Sequence, residues 1–129
     1  MGVKLARPDS PVLAVCGDGA FGFGVPTAAF WSAHRAGAPF IAVILNNASY
    51  RASRLPVGRL YPGGAGQAEG SFPETDLSPA PDYVALAAAY GGGGRVATAP
   101  GELAEALEHC LALQAAGRCA VLDLRLPAA

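Results

Sequence analysis

An open α/β domain, with a parallel sheet covered by helices on both faces, is the fold this sequence predicts. Three observations predict it. Apolar runs without polar alternation stand at residues 12–16 (Val-Leu-Ala-Val-Cys) and 40–45 (Phe-Ile-Ala-Val-Ile-Leu), as expected for buried strands, the first of them on both faces, and a last strand is read at 119–126. Helical patterns separate these runs, and a shorter strand candidate lies at 95–97. The order βαβ…αβαβ is that of a three-layer αβα arrangement with right-handed crossovers.

Residues 2–7 read as a last helical turn, with Lys4 and Arg7 near its C-terminal end and Pro8 stopping it. One turn at a chain start is not stable alone, so the natural domain is expected to begin further upstream. A turn at Asp9-Ser10-Pro11 leads into the strand at 12–16. Gly17 to Gly24 reads as a glycine-rich loop containing Phe21 and Phe23. A helix then begins at Pro26, whose missing N–H suits a first turn. It runs through His34, with Gly37 as its left-handed terminator and Pro39 barring continuation.

Residues 48–80 hold Pro56, Pro62, Pro73, Pro79 and five glycines. No element is assigned there, and a loop of that length reads as functional, partner-covered or mobile. Pro81-Asp82 opens a helix through Tyr90, with Val84, Leu86, Ala87 and Tyr90 toward the core. Gly91 to Gly94 ends it. Pro100-Gly101-Glu102 starts a longer helix whose Leu103, Leu107, Cys110, Leu111 and Gln114 fall on one stripe. Gly117 caps it before the strand at 119–126.

At 129 residues the chain makes one domain, 1–129, with enough length for a core. A net charge of −1 with 52% apolar residues fits a compact domain. That balance gives no reason to expect nucleic acid or an anionic membrane as partner. No apolar run approaches the roughly 20 residues that span a bilayer. Lys4, Arg7 and Asp9 interrupt any signal peptide. Cys16, Cys110 and Cys119 are not spaced as zinc ligands and read as free thiols in a reducing compartment. A soluble, cytoplasmic protein is expected. His34 and His109 sit on predicted helices without carboxylate partners, and Arg51, Arg54 and Arg59 read as a solvated face.

Chemistry concentrates where the first two strands end. One ends in Gly17-Asp18-Gly19 and the other in Asn46-Asn47, with 26 residues, Ala20 to Leu45, between them. Ligands collect at the carboxyl ends of parallel strands, so Asp18 and Asn47 should meet. Two readings compete. Gly17-x-Gly19-x-x-Gly22 matches a dinucleotide fingerprint. Against it, Asp18 sets a carboxylate where a pyrophosphate should approach, Pro26 starts the helix after the glycines, and Asn46-Asn47 replaces the acid that binds a ribose. The other reading is a diphosphate bridged by Mg²⁺, a hard cation that takes oxygen ligands. Asp18, the Asn47 side-chain carbonyl and the Ser49 main-chain carbonyl supply three. The N–H groups of Gly19 and Ala20 favour the phosphate charge, and Gly17 and Gly19 allow close backbone approach.

These residues carry a family resemblance. Gly17-Asp18-Gly19, the 26-residue gap and Asn46-Asn47 resemble the thiamine-diphosphate signature of the acetolactate synthase and 2-oxo-acid decarboxylase superfamily. Ala20-Phe21, Tyr50 and the run Pro81-Asp82-Tyr83-Val84-Ala85-Leu86-Ala87 agree with it, so the resemblance covers nearly the whole chain. It implies a C-terminal thiamine-diphosphate-binding domain. Asp18, Asn47 and Ser49 then hold Mg²⁺, Gly19 and Ala20 touch the diphosphate beside Gly17, and Tyr50 lines the pocket. No catalytic residue is assigned to this chain. The implied chemistry is attack of the thiazolium carbanion on a small 2-oxo acid, loss of carbon dioxide, and protonation or ligation of the product.

In that family a glutamate on a separate pyrimidine-binding domain activates the cofactor, and nothing here matches that domain. Only 16 residues precede Gly17, too few for the segment that supports the bent cofactor. The chain is therefore expected to be the diphosphate-and-metal part of a larger, homo-oligomeric enzyme and to be inactive alone. An inactive fragment or interaction module of the same fold is the alternative, and a dinucleotide-binding module the third reading.

Overall fold

The computed structural model of the chain describes residues 1–127, apart from the side chain of Pro73; Ala128 and Ala129, which the expected domain includes, lie outside them. Four strands, β1 (Leu13–Gly17), β2 (Ile41–Asn46), β3 (Gly93–Ala97) and β4 (Ala120–Arg125), form one sheet in the order β1-β2-β4-β3. Every pairing is parallel. Helix α1 (Gly2–Ala6) precedes the sheet, and α2 (Asp18–Phe23) and α3 (Pro26–Arg35) join β1 to β2. Between β2 and β3 lie α4 (Arg51–Leu60), α5 (Ala65–Glu69) and α6 (Tyr83–Ala88), and α7 (Leu103–Ala115) links β3 to β4. The predicted three-layer architecture is present.

The period-2 alternation of β2 builds both cores. Ala42 and Ile44 face one way, toward Phe21 of α2, Phe30 and Ala33 of α3, and Tyr83 and Ala87 of α6. The Phe30 and Phe40 rings stack there at 5.4 Å and 3°, and Tyr83 meets Phe21 edge-on at 5.3 Å. Ile41 and Val43 face the other way, toward Ala106 and Cys110 of α7. Gln114, also on α7, pins the sheet's entry. Its amide donates to the carbonyls of Val12 and Pro39 and accepts from the Val12 N–H.

Four expectations need correction. The first strand is not buried on both faces: Leu13 is 44% and Val15 63% exposed. β1 is an edge strand, and the face bearing these residues is not covered by α7, which packs on β2, β4 and β3. The glycine-rich segment is not a loop, because Asp18 opens α2 directly after β1, with Gly17 as its extended N-cap. Pro26 begins a second helix, and Val25, at φ 49°, makes the break between the two. Residues 48–80 carry α4, α5, a 3₁₀ turn at Pro73–Thr75 and a bridge between Ser49 and Asp76. Helix α4 contains Pro56 and buries no residue. The stripe of α7 is rotated: Ala106, Cys110 and Gln114 are buried, Leu107 and Leu111 are half-buried, and Leu103 is exposed.

Other expectations stand. Gly37 and Gly117 follow α3 and α7 with φ of 58° and 79°. All three cysteines are free, and burial pushes the thiols of Cys16, Cys110 and Cys119 up from their ordinary range. Thiols so raised are protonated and poorly nucleophilic near neutrality. No helix of the described residues is long and apolar enough to cross a membrane.

Candidate cofactor site

Sheet register builds the site. Gly17 of β1 pairs with Leu45 of β2, and Asn46 of β2 pairs with Arg125 of β4. The strands end level, so the residues at their ends, Asp18 on one and Asn46-Asn47 on the other, emerge side by side. All seven residues expected at the site, Gly17, Asp18, Gly19, Ala20, Asn47, Ser49 and Tyr50, line one cleft of about 520 Å³. Leu45, Leu55 of α4 and Leu126 add apolar walls.

Asp18 is only 4% exposed. Its Oδ1 accepts from the N–H of Gly19 at 2.9 Å. Its Oδ2 is buried and has no hydrogen-bond partner among the described residues. A buried carboxylate oxygen left unpaired costs on the order of 1–3 kcal/mol, more while it stays charged. A cation at that oxygen offsets the cost. The charge reaches Tyr83 on α6: burial, and then the nearby Asp18 carboxylate, push the Tyr83 phenol above its ordinary range.

The Asn46–Tyr50 segment is shaped by local bonds. Asn46 Oδ1 accepts from the Ala48 N–H at 3.1 Å, and Asn47 Oδ1 accepts from the Ser49 N–H at 3.2 Å. Ala48 stands at φ 52°, left-handed for a residue with a Cβ, at a cost of roughly 1–2 kcal/mol. Beyond it the Ala48 carbonyl accepts from the Leu77 N–H and the Tyr50 N–H donates to the Thr75 carbonyl, which ties the segment to the 3₁₀ turn.

The glycines have unequal roles. A Cβ at Gly19 would lie 2.5 Å from the Tyr50 ring, so Gly19 admits that ring, which also packs against Phe23 at 5.8 Å. A Cβ at Gly22 meets nothing within 4 Å. Gly22 therefore does not bring a helix close to a strand, as the third glycine of a dinucleotide fingerprint would. The Gly19 N–H, expected to face phosphate, is engaged by Asp18 instead.

The donor set suits Mg²⁺. One carboxylate, one side-chain amide and one main-chain carbonyl are hard oxygen donors. Asn47 Oδ1 keeps a lone pair beyond the one that accepts from Ser49. No group of three or more His, Cys, Asp or Glu side chains is placed to hold a metal among the described residues.

One residue of this neighbourhood carries no role in the sequence-based reading. Asp123 of β4 is 1% exposed, and its Oδ1 accepts from Asn46 Nδ2 at 2.9 Å. Its Oδ2 pairs with Arg125 Nε at 2.8 Å. A single acid inside the apolar run Ala120-Val121-Leu122-Asp123-Leu124 is the signal that identifies it.

Comparison with known proteins decides the family. Residues 1–124 match the model of the thiamine pyrophosphate enzyme, C-terminal TPP binding domain. The chain belongs to this family. It is a thiamine-pyrophosphate-binding domain of the type found in decarboxylases and acetolactate synthases, and the dinucleotide reading is set aside. Sulfoacetaldehyde acetyltransferase of Rhodobacter capsulatus is 34% identical over 95% of this chain and 20% of that protein. Benzoylformate decarboxylase of Pseudomonas aeruginosa is 35% identical over 87% of this chain and 19% of that protein. The solved structure of a thiamine diphosphate-dependent 4-hydroxybenzoylformate decarboxylase from Rhodococcus jostii RHA1 matches with a TM-score of 0.77. It is 30% identical, over 99% of this chain and 22% of that one. The chain thus spans about a fifth of the length of the relatives it matches.

Proposed function

We propose that this thiamine-pyrophosphate-binding domain holds the diphosphate end of the cofactor through Mg²⁺, as the metal-binding part of an acetolactate synthase-like or 2-oxo-acid decarboxylase-type enzyme. The observation that carries the proposal is the buried, unpartnered Oδ2 of Asp18 at the cleft. In this reading Asp18 gives that oxygen to the metal, Asn47 its side-chain carbonyl and Ser49 its main-chain carbonyl. Gly17, Gly19 and Ala20 bring backbone up to the diphosphate, and Tyr50 closes one side. Leu45, Leu55 and Leu126 give the cleft an apolar flank that is itself exposed in this chain. When bound, thiamine diphosphate supplies a nucleophilic thiazolium carbon for making or breaking bonds beside a carbonyl.

The activating glutamate belongs, in this proposal, to a pyrimidine-binding domain or partner subunit, and the working enzyme is a homo-oligomer acting on a small 2-oxo acid. The exposed face of β1 at Leu13 and Val15 is consistent with further protein packing there. Calorimetry tests the proposal. Thiamine diphosphate should bind the 129-residue chain with Mg²⁺ present and lose most of that affinity when the metal is chelated. No decarboxylation of pyruvate by this chain is expected. Metal-independent binding contradicts the metal assignment, and turnover by the chain alone contradicts the need for a partner.

A further inference from the structure

The segment that carries Asn47 and Ser49 holds a backbone conformation its own residues do not favour. Ala48 sits at φ 52° without being glycine. Something must impose that shape: the Leu77 N–H holds the Ala48 carbonyl on one side, and the bonds of Asn46 hold the turn on the other. Its Oδ1 accepts the Ala48 N–H, its main-chain carbonyl accepts the Leu126 N–H at 2.7 Å, and its Nδ2 donates to Asp123. Asn46 is 2% exposed, so water does not compete for these groups.

The direction of the Asn46 amide matters. An amide has a donor end and an acceptor end, whereas a carboxylate engaged by a guanidinium presents oxygen acceptors. Asp123, held by Arg125 on one oxygen, offers an acceptor to Asn46 on the other. That forces Nδ2 toward Asp123 and leaves Oδ1 facing Ala48. We infer that Asp123 and Asn46 are positioning residues: their buried carboxylate–amide bond fixes the left-handed turn at Ala48 and thereby the placement of Asn47 and Ser49 in the cleft. Asp123 is not itself a ligand, because both its oxygens are engaged within the protein. The inference rests on the proposed Mg²⁺ role of Asn47 and Ser49.

Exchanging the two residues tests it. Asn46→Asp sets two carboxylates against each other in the core. The double variant Asn46→Asp with Asp123→Asn reverses the bond while satisfying every partner. The new amide at 123 donates to residue 46 and accepts from Arg125, and residue 46 still accepts the Ala48 N–H. Two quantities are read for wild type, single and double variants, well below each thermal midpoint. They are the hydrogen exchange of the Ala48 and Ser49 amides and the Mg²⁺-dependent affinity for thiamine diphosphate. The single variant should exchange faster at both amides and bind about tenfold more weakly, and the double variant should recover most of both. Should Asn46→Asp not fold, Asp123→Asn, which adds no charge to the core, takes its place in the comparison. If the wild type binds and the folded single variant matches it in affinity, with only its thermal midpoint lowered, Asp123 is structural and the inference falls. Absence of Mg²⁺-dependent binding in the wild type itself overturns the cofactor reading, and this inference with it.

Discussion

Asp18→Ala is expected to make the cofactor-free domain more stable and to abolish its response to Mg²⁺ and thiamine diphosphate. The two effects have one cause. In the free domain the Oδ2 of Asp18 is buried without a partner, a penalty of about 1–3 kcal/mol that alanine removes. Alanine also loses the bond to the Gly19 N–H and a negative charge in the first turn of α2. Helix α2 is only six residues long, so the charge term stays near the low end of the roughly 0.3–1 kcal/mol such placements contribute. The unpaired Gly19 N–H left behind costs about 1–3 kcal/mol more, but burial of the whole charged carboxylate costs several kcal/mol. Desolvation therefore wins, and the thermal midpoint of the cofactor-free variant should rise. The wild type should gain on ligand addition, by about 2.7 kcal/mol at roughly 100 times Kd, while Asp18→Ala gains nothing. Differential scanning calorimetry with and without Mg²⁺ and cofactor reads both signs. A variant that is destabilised without ligand yet still shifts with it contradicts the assignment.

Phe30→Ala is the substitution expected to cost most stability. Phe30 is fully buried, stacks on Phe40 and touches Phe21 at 6.2 Å between ring centroids. It joins α3 to the sheet face that also carries α2 and α6. Emptying such a site costs about 3–5 kcal/mol, a large share of the roughly 5–15 kcal/mol typical of a whole domain. Because α2 carries Asp18, cofactor affinity should weaken along with stability. Urea unfolding monitored by circular dichroism measures the first effect. A loss below about 1 kcal/mol would mean that the aromatic cluster is not the keystone of that face.

The frame and the site are legible in the sequence for the same reason. Strands at the centre of a parallel sheet read as apolar runs, as β2 does and as β4 does apart from Asp123, and the residues at the carboxyl end of such a strand must lie at the ligand-binding end of the sheet. Gly17-Asp18-Gly19 and Asn46-Asn47 can therefore be paired from the residues alone. The features that escape depend on tertiary context. The run 12–16 looks like a central strand, but its position at the sheet edge, which composition does not encode, leaves Leu13 and Val15 exposed. Four glycines argue against helix at 17–24, yet Asp18 begins one because packing of Phe21 in the core outweighs propensity. Pro56 and Gly58 argue against α4, and that helix indeed buries none of its residues. Asp123 is hidden inside a strand, since a buried acid acquires meaning only when its partner, 77 residues distant in sequence, is in view.

A divalent cation between Asp18, Asn47 and Ser49 is the core of the proposal. Its most direct test replaces Mg²⁺ with paramagnetic Mn²⁺ in the presence of thiamine diphosphate and monitors the amide resonances of the isotope-labelled chain. The resonances of Asp18, Gly19, Asn47 and Ser49 should broaden first and together, with those around Gln114, at the opposite end of the sheet, unaffected, and Asp18→Ala should erase the pattern. Broadening centred elsewhere, or unchanged in Asp18→Ala, would contradict that placement of the metal.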